Sequence, residues 1–157
     1  MPIVREIQES AMMNVTVPRV VLDTNVLVAA ARSRQGASFA LVSSIPAPDF
    51  QPCLSVALYA EWQEVLTRPE NLPPGTTPED ALSFLRYLAS QAHLQEIHFL
   101  WRPFLADADD DMVLELAIAA GCRHIISHNV KDFQGSERLG VAALSPREFL
   151  NLLRKKS

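Results

Sequence analysis

The sequence predicts an α/β protein: a mostly parallel sheet with helices on both faces. Two observations carry that prediction. Short apolar runs of strand length alternate with amphipathic stretches of helix length along most of the chain. The chain has 157 residues, 48% hydrophobic and 20% charged, which suits one domain with a sizeable core and leaves little room for a second. There are no internal repeats and no low-complexity tract.

Residues 1–18 are polar, unpatterned and end at Pro18, so they are expected to be an arm, with the domain running over 19–157. Val20-Val21-Leu22 is a buried-strand run that ends at Asp23-Thr24-Asn25. Val26 to Ala31 follows as helix, and Phe39 to Val42 as a second short helix that closes before Pro46. Phe50 to Leu54 reads as a strand. Ser55 then caps a helix that Pro69 stops. Asn71 to Gly75 is a loop. Thr77 with Pro78 at the first helical position and Asp80 at the third opens a helix carrying Leu82, Leu85 and Leu88. Residues 94–99 are expected as a strand, with Arg102-Pro103 beginning a loop. Asp107 to Asp111 opens a helix that Gly121 ends. His124 to Ser127 and Gly140 to Leu144 are strands, and Ser145-Pro146-Arg147-Glu148 is a capping box for the last helix.

Composition narrows the function. Eighteen acidic against fourteen basic side chains give a net charge of −4, which argues against a basic nucleic-acid coat protein but not against an enzyme that gathers acids at a metal. Cys53 and Cys122 are too few for a disulfide framework or a zinc knuckle and read as buried free thiols. No apolar run approaches the ~18 residues of a membrane span, and no secretory signal is visible, so the cytoplasm is expected. A P-loop and a dinucleotide fingerprint are both missing.

Four places carry acids that are hard to dismiss. Asp23 stands at the carboxyl end of a buried strand, where parallel sheets bind ligands, although an acid there also caps a following helix. Glu61 lies on the margin of the stripe made by Leu58, Trp62, Val65 and Leu66, whereas Glu64 faces water. In the run Asp107-Ala108-Asp109-Asp110-Asp111, Asp110 falls near the centre of the face defined by Val113, Leu114, Ala117 and Ile118. Asp111 is the second choice there, and Asp107 and Asp109 are expected in solvent. The turn Ser127-His128-Asn129-Val130-Lys131-Asp132-Phe133 adds a hydroxyl, an amide and a carboxylate at the same sheet edge. Clustered carboxylates repel unless neutralised, and oxygen-only ligands suit Mg²⁺ or Mn²⁺. Such ions activate water against phosphodiesters.

The string from Val20 to Val28, the stretches Glu61 to Leu66 with Arg68-Pro69 and Asp107 to Ala117, and the turn 127–133 together resemble the PIN-domain ribonucleases. Gly36-Ala37-Ser38-Phe39 and Ser145 to Leu150 are similar to the VapC-like toxins of toxin–antitoxin pairs. The resemblance covers about residues 19–151 and implies a three-layer α/β/α fold and a Mg²⁺- or Mn²⁺-dependent endoribonuclease. It implies that Asp23, Glu61, Asp110 and Asp132 are the acids of the site, with Asp111 as a further ligand and Asn25, Ser127 and Asn129 as supporting polar groups. Many relatives have aspartate where Asn129 stands, which puts a second metal in doubt. An RNA substrate, a small antitoxin and a homodimer are the implied partners. Arg32 and Arg34 follow the first motif and are candidates for phosphate contact, for an antitoxin's acidic tail, or for ordinary surface charge. His128 is expected to be a bystander and Trp62 a core residue; Trp101 is undecided between packing and base stacking. The competing class is a PIN-like scaffold that binds RNA or protein without turnover.

Overall fold

The computed structural model describes residues 17–98 and 104–156. The first sixteen residues of the expected arm, the end of the 94–99 strand, Trp101 and Arg102-Pro103 lie outside the described residues.

Among the described residues five strands, β1 (Arg19–Leu22), β2 (Gln51–Leu54), β3 (His93–Leu94), β4 (His124–Ile126) and β5 (Ala142–Leu144), form one parallel sheet in the order β3-β2-β1-β4-β5. Among the described residues six α-helices accompany them: α1 (Thr24–Arg32), α2 (Ala37–Ser43), α3 (Val56–Leu66), α4 (Pro78–Gln91), α5 (Ala108–Ala119) and α6 (Pro146–Lys156). The chain steps outward from β1 through β2 to β3, then back across the sheet to β4; with the right-handed crossovers that parallel strands almost always take, the two directions place their helices on opposite faces. That reversal puts α1 to α4 on one face and α5 on the other. Accordingly α1 packs on α2 and α3, α3 on α4, and α2 on α6, while α5 lies against β1, β2 and β4. The architecture is the expected mixed α/β fold with helices on both faces.

The central strands β1, β2 and β4 are buried on both sides, which is why they read as apolar runs. Val20, Val21, Leu22, Cys53, Leu54, Ile125 and Ile126 are at most 1% exposed. Between sheet and helices the largest core side chains are Trp62, Phe50, Phe133 and Phe149. Phe50 and Phe149 meet edge to face at 5.5 Å, tying the segment before β2 to α6. Cys53 and Cys122 are buried free thiols, as expected.

The caps form as the sequence suggests. Ser55 accepts from Leu58 N, and Thr77 and Asp80 cap each other reciprocally, as do Ser145 and Glu148. Gly121, at φ +71°, ends α5 in the left-handed region that glycine adopts without strain. Two strands are shorter than the sequence suggests. β3 stops at Leu94 because its partner β2 ends at Leu54 and turns into α3, so Gln95 N closes the pairing on Leu54 O. β5 begins only at Ala142, because Gly140, also at positive φ, closes the single helical turn Ser136–Leu139.

Candidate active site

Between β1 and β4 the connections leave in opposite directions, β1 toward β2 and β4 toward β5. Parallel sheets open a crevice at the carboxyl ends of such a pair. The residues that emerge there are Asp23 and Ser127. Asp23 N donates to Ile126 O at 2.9 Å, and Ser127 N to Leu144 O at 2.9 Å, so backbone pairing continues one residue past each strand and fixes both side chains at the edge.

Asp23 precedes α1, yet it is a poor cap. An N-cap oxygen ordinarily accepts from the second or third helical N–H; Ser55 and Thr77 reach the third. Asp23 instead accepts at Oδ1 from the adjacent Thr24 N, 2.9 Å. Its Oδ2 accepts from Ser127 Oγ at 2.8 Å and from Asn25 Nδ2 at 3.3 Å. Asn25 Nδ2 also reaches Ser127 Oγ at 3.2 Å, and Asn25 Oδ1 receives His128 N at 3.1 Å. Asn129 N donates to Ser127 Oγ at 3.0 Å. Asp23, Asn25, Ser127 and the backbone of 128–129 are thus one network. Burial pushes the Asp23 carboxyl up, the Ser127 and Thr24 bonds oppose that, and the charges of Asp132 and Asp109 add to it.

Glu61 sits half-buried on α3 and accepts a hydrogen bond from Thr24 Oγ1. Its carboxyl is also raised, by burial first, against the Thr24 bond, and further by Asp109, Asp23 and Glu64. Glu64 is on the solvent side, paired with Arg68 at 3.1 Å. Asp110 is pushed up to about 6, by burial and then by Asp23, Asp107, Asp132 and Asp109. Asp132 lies exposed on the helical turn Val130–Phe133, and its charge is felt at both Asp23 and Asp110.

Asp23, Glu61, Asp109, Asp110 and Asp132 therefore share one electrostatic field. Among the described residues, no three carboxylate, imidazole or thiol groups converge closely enough to hold one ion together. The chemistry of the donor set nevertheless fits a hard divalent cation: every group is an oxygen, and three of the carboxyls are pushed toward their protonated form by burial and by one another's charge.

Asp109 is exposed, as the sequence suggests; Ile118, however, is 48% exposed and Leu116 fully buried, which turns the packed face of α5 away from the one the sequence suggests. Counting Val113, Leu114, Leu116, Ala117 and Ala120 as that face, its centre turns by about 50°, leaving Asp109 and Asp110 about 50° to either side. Asp111 then points about 150° away. Its Oδ1 accepts from Phe104 N at 3.1 Å and Leu105 N at 2.7 Å, fastening the chain that enters α5. Thr24 is the second residue whose part was not visible: a threonine beside Asp23 carries no signal that its hydroxyl meets Glu61, 37 residues on.

Arg32 and Arg34 do not join the acids. Arg32 is about 12 Å along α1 from Thr24 at 1.5 Å per residue, with Nη2 on Asn71 Oδ1 at 2.9 Å. Arg34 lines a cleft of about 240 Å³ bounded by Leu27, Phe39, Leu72 and Phe84. The His128 ring turns to Ser38, with Nε2 2.7 Å from Ser38 Oγ. Trp62 is in the core. A larger cleft, about 1010 Å³, runs along the carboxyl ends of β2 and β3, lined by Val56, Tyr59, Leu94, Ile97 and Met112 among others.

A family model described as PIN domain matches residues 19–131, well over half of the chain. The match spans Asp23, Asn25, Glu61, Asp110, Ser127 and Asn129 and ends one residue before Asp132. No curated protein matches the chain.

Proposed function

The chain belongs to the PIN-domain family, whose members are generally nucleases, and on that premise we propose that it is a metal-dependent endoribonuclease, the toxin of a toxin–antitoxin pair. The observation that carries the nuclease reading is the shared field of Asp23, Glu61, Asp109, Asp110 and Asp132 at the switch point of the sheet. A soluble fold has little reason to bury or crowd carboxyls unless a cation answers them. The toxin role, the antitoxin and the homodimer rest on the VapC-like motifs at 36–39 and 145–150.

In this proposal Asp23, Glu61, Asp110 and Asp132 are the acids that would hold Mg²⁺ or Mn²⁺ once the ion draws their carboxylates together, and the ion would supply an activated water and screen the phosphate. Ser127 and Asn25 fix the direction of Asp23 by occupying its Oδ2 from one side. Asn129 contributes a neutral amide where a second carboxylate would strengthen a second ion site, which favours one firmly held ion. Asp111 keeps the entry of α5 in place, and Arg32 and Arg34 serve a partner or a distant stretch of RNA. Attack by water needs no covalent nucleophile, and none is assigned.

The test is incubation of total RNA with the purified chain in Mg²⁺, Mn²⁺ or EDTA, with Asp23→Asn in parallel. Fragments that need the metal and are absent with the variant support the reading. Folded protein that binds RNA in a salt-dependent way but leaves it intact in every lane would instead make it a scaffold.

A further inference from the structure

We infer that Thr24 is a positioning residue, holding Glu61 in the direction from which it meets the ion. This rests on the nuclease reading and extends it to a residue that would touch neither metal nor RNA.

Thr24 is buried at 7% exposure and is the first residue of α1. A helical threonine ordinarily returns its hydroxyl to a carbonyl three or four residues back. At the first helical position no preceding turn offers one. The hydroxyl is therefore free to leave the helix, and it crosses to α3 and donates to Glu61 Oε2. The same residue donates its backbone N–H to Asp23 Oδ1. One residue thus touches a carboxylate from each of two elements and fixes their relation.

Glu61 needs such a fixture. Its side chain has three torsions, and Asp109, Asp23 and Glu64 all repel it. Left alone, it would relax away from the acids toward solvent, and binding a cation would have to reverse that and order the side chain again. The threonine hydroxyl does this in advance. Its branched Cβ also limits χ1, so the donor is aimed as well as present. Serine keeps the donor but loosens the aim. Valine keeps the shape and loses the donor.

The experiment is calorimetric titration of Mn²⁺ into wild type, Thr24→Val and Thr24→Ser, with thermal melts of each in EDTA. Groups that orient metal ligands typically change affinity by ~10–100-fold when removed. Thr24→Val is expected to weaken Mn²⁺ binding by about tenfold or more on that scale, and Thr24→Ser to restore most of the loss. Thr24→Val within twofold of wild type, whatever its melting temperature, overturns the inference and leaves the nuclease reading standing. Wild type that takes up no Mn²⁺ overturns both. Should the valine variant lose its cooperative melt, Thr24→Ala is titrated in its place under the same criteria.

Discussion

Replacing Asp110 by asparagine should stabilise the metal-free protein, and only above a particular pH. The Asp110 carboxyl moves from an ordinary 3.8 to about 6 on folding. Between those values the folded chain holds a proton that the unfolded chain has released, so stability falls as pH rises through that window and the full cost is present above it. At 1.36 kcal/mol per pKa unit the shift corresponds to at most about 3 kcal/mol. Asp110 is only partly buried, so solvent screening reduces this to about 1 kcal/mol. Asparagine keeps the shape without the charge. For a chain of this size the gain amounts to ~3 °C in melting temperature. Scanning calorimetry in EDTA is therefore expected to show Asp110→Asn melting a few degrees above wild type at pH 7.5 and level with it near pH 4. A variant less stable than wild type at pH 7.5, or shifted equally at both pH values, would refute the reasoning. Asp110 would then be held by favourable contacts rather than crowded by its neighbours.

Other outcomes follow from the same geometry. Mn²⁺ at ten times its dissociation constant should raise wild-type stability by about 1.4 kcal/mol, seen as a higher melting temperature, and should leave Asp23→Asn and Asp110→Asn nearly unmoved. Ser127→Ala takes the shorter hydrogen bond from Asp23 Oδ2 inside a buried pair; a loss of ~1–3 kcal/mol in urea unfolding is expected, with metal affinity down by roughly tenfold or more. Asp111→Ala unfastens Phe104 and Leu105 from α5 and should lower stability by about 1–2 kcal/mol. Titrated with Mn²⁺, that variant should match wild type within about twofold; a large loss of affinity would make Asp111 a ligand after all.

The sequence is informative wherever the signal is local. Capping at Ser55, Thr77 and Ser145 depends on residues three apart, and all three caps form. Asp23 and Ser127 are legible for the same reason: each directly follows a short apolar run, and parallel pairing leaves both at one edge. What escapes is what depends on several elements at once. Spacing alone puts Ile118 on the packed face of α5, but it is 48% exposed. Only the packing of α5 on β1, β2 and β4 decides that, and with it whether Asp109 flanks the site. The Thr24–Glu61 bond and the Asp111 clamp span different elements and leave no trace in spacing. β3 is a further case: Gln95-Glu96-Ile97 continues the expected strand but has no strand opposite it once β2 has ended.

The most direct test of metal-activated hydrolysis at this site is single-turnover cleavage of an RNA in H₂¹⁸O with Mn²⁺, fragments weighed by mass spectrometry. Wild type is expected to yield linear phosphate ends carrying one solvent oxygen, with no fragments in EDTA or from Asp23→Asn. Cyclic 2′,3′-phosphate ends, formed equally in EDTA and by the variant, would contradict the account, because attack by the RNA's own 2′-hydroxyl requires none of these acids.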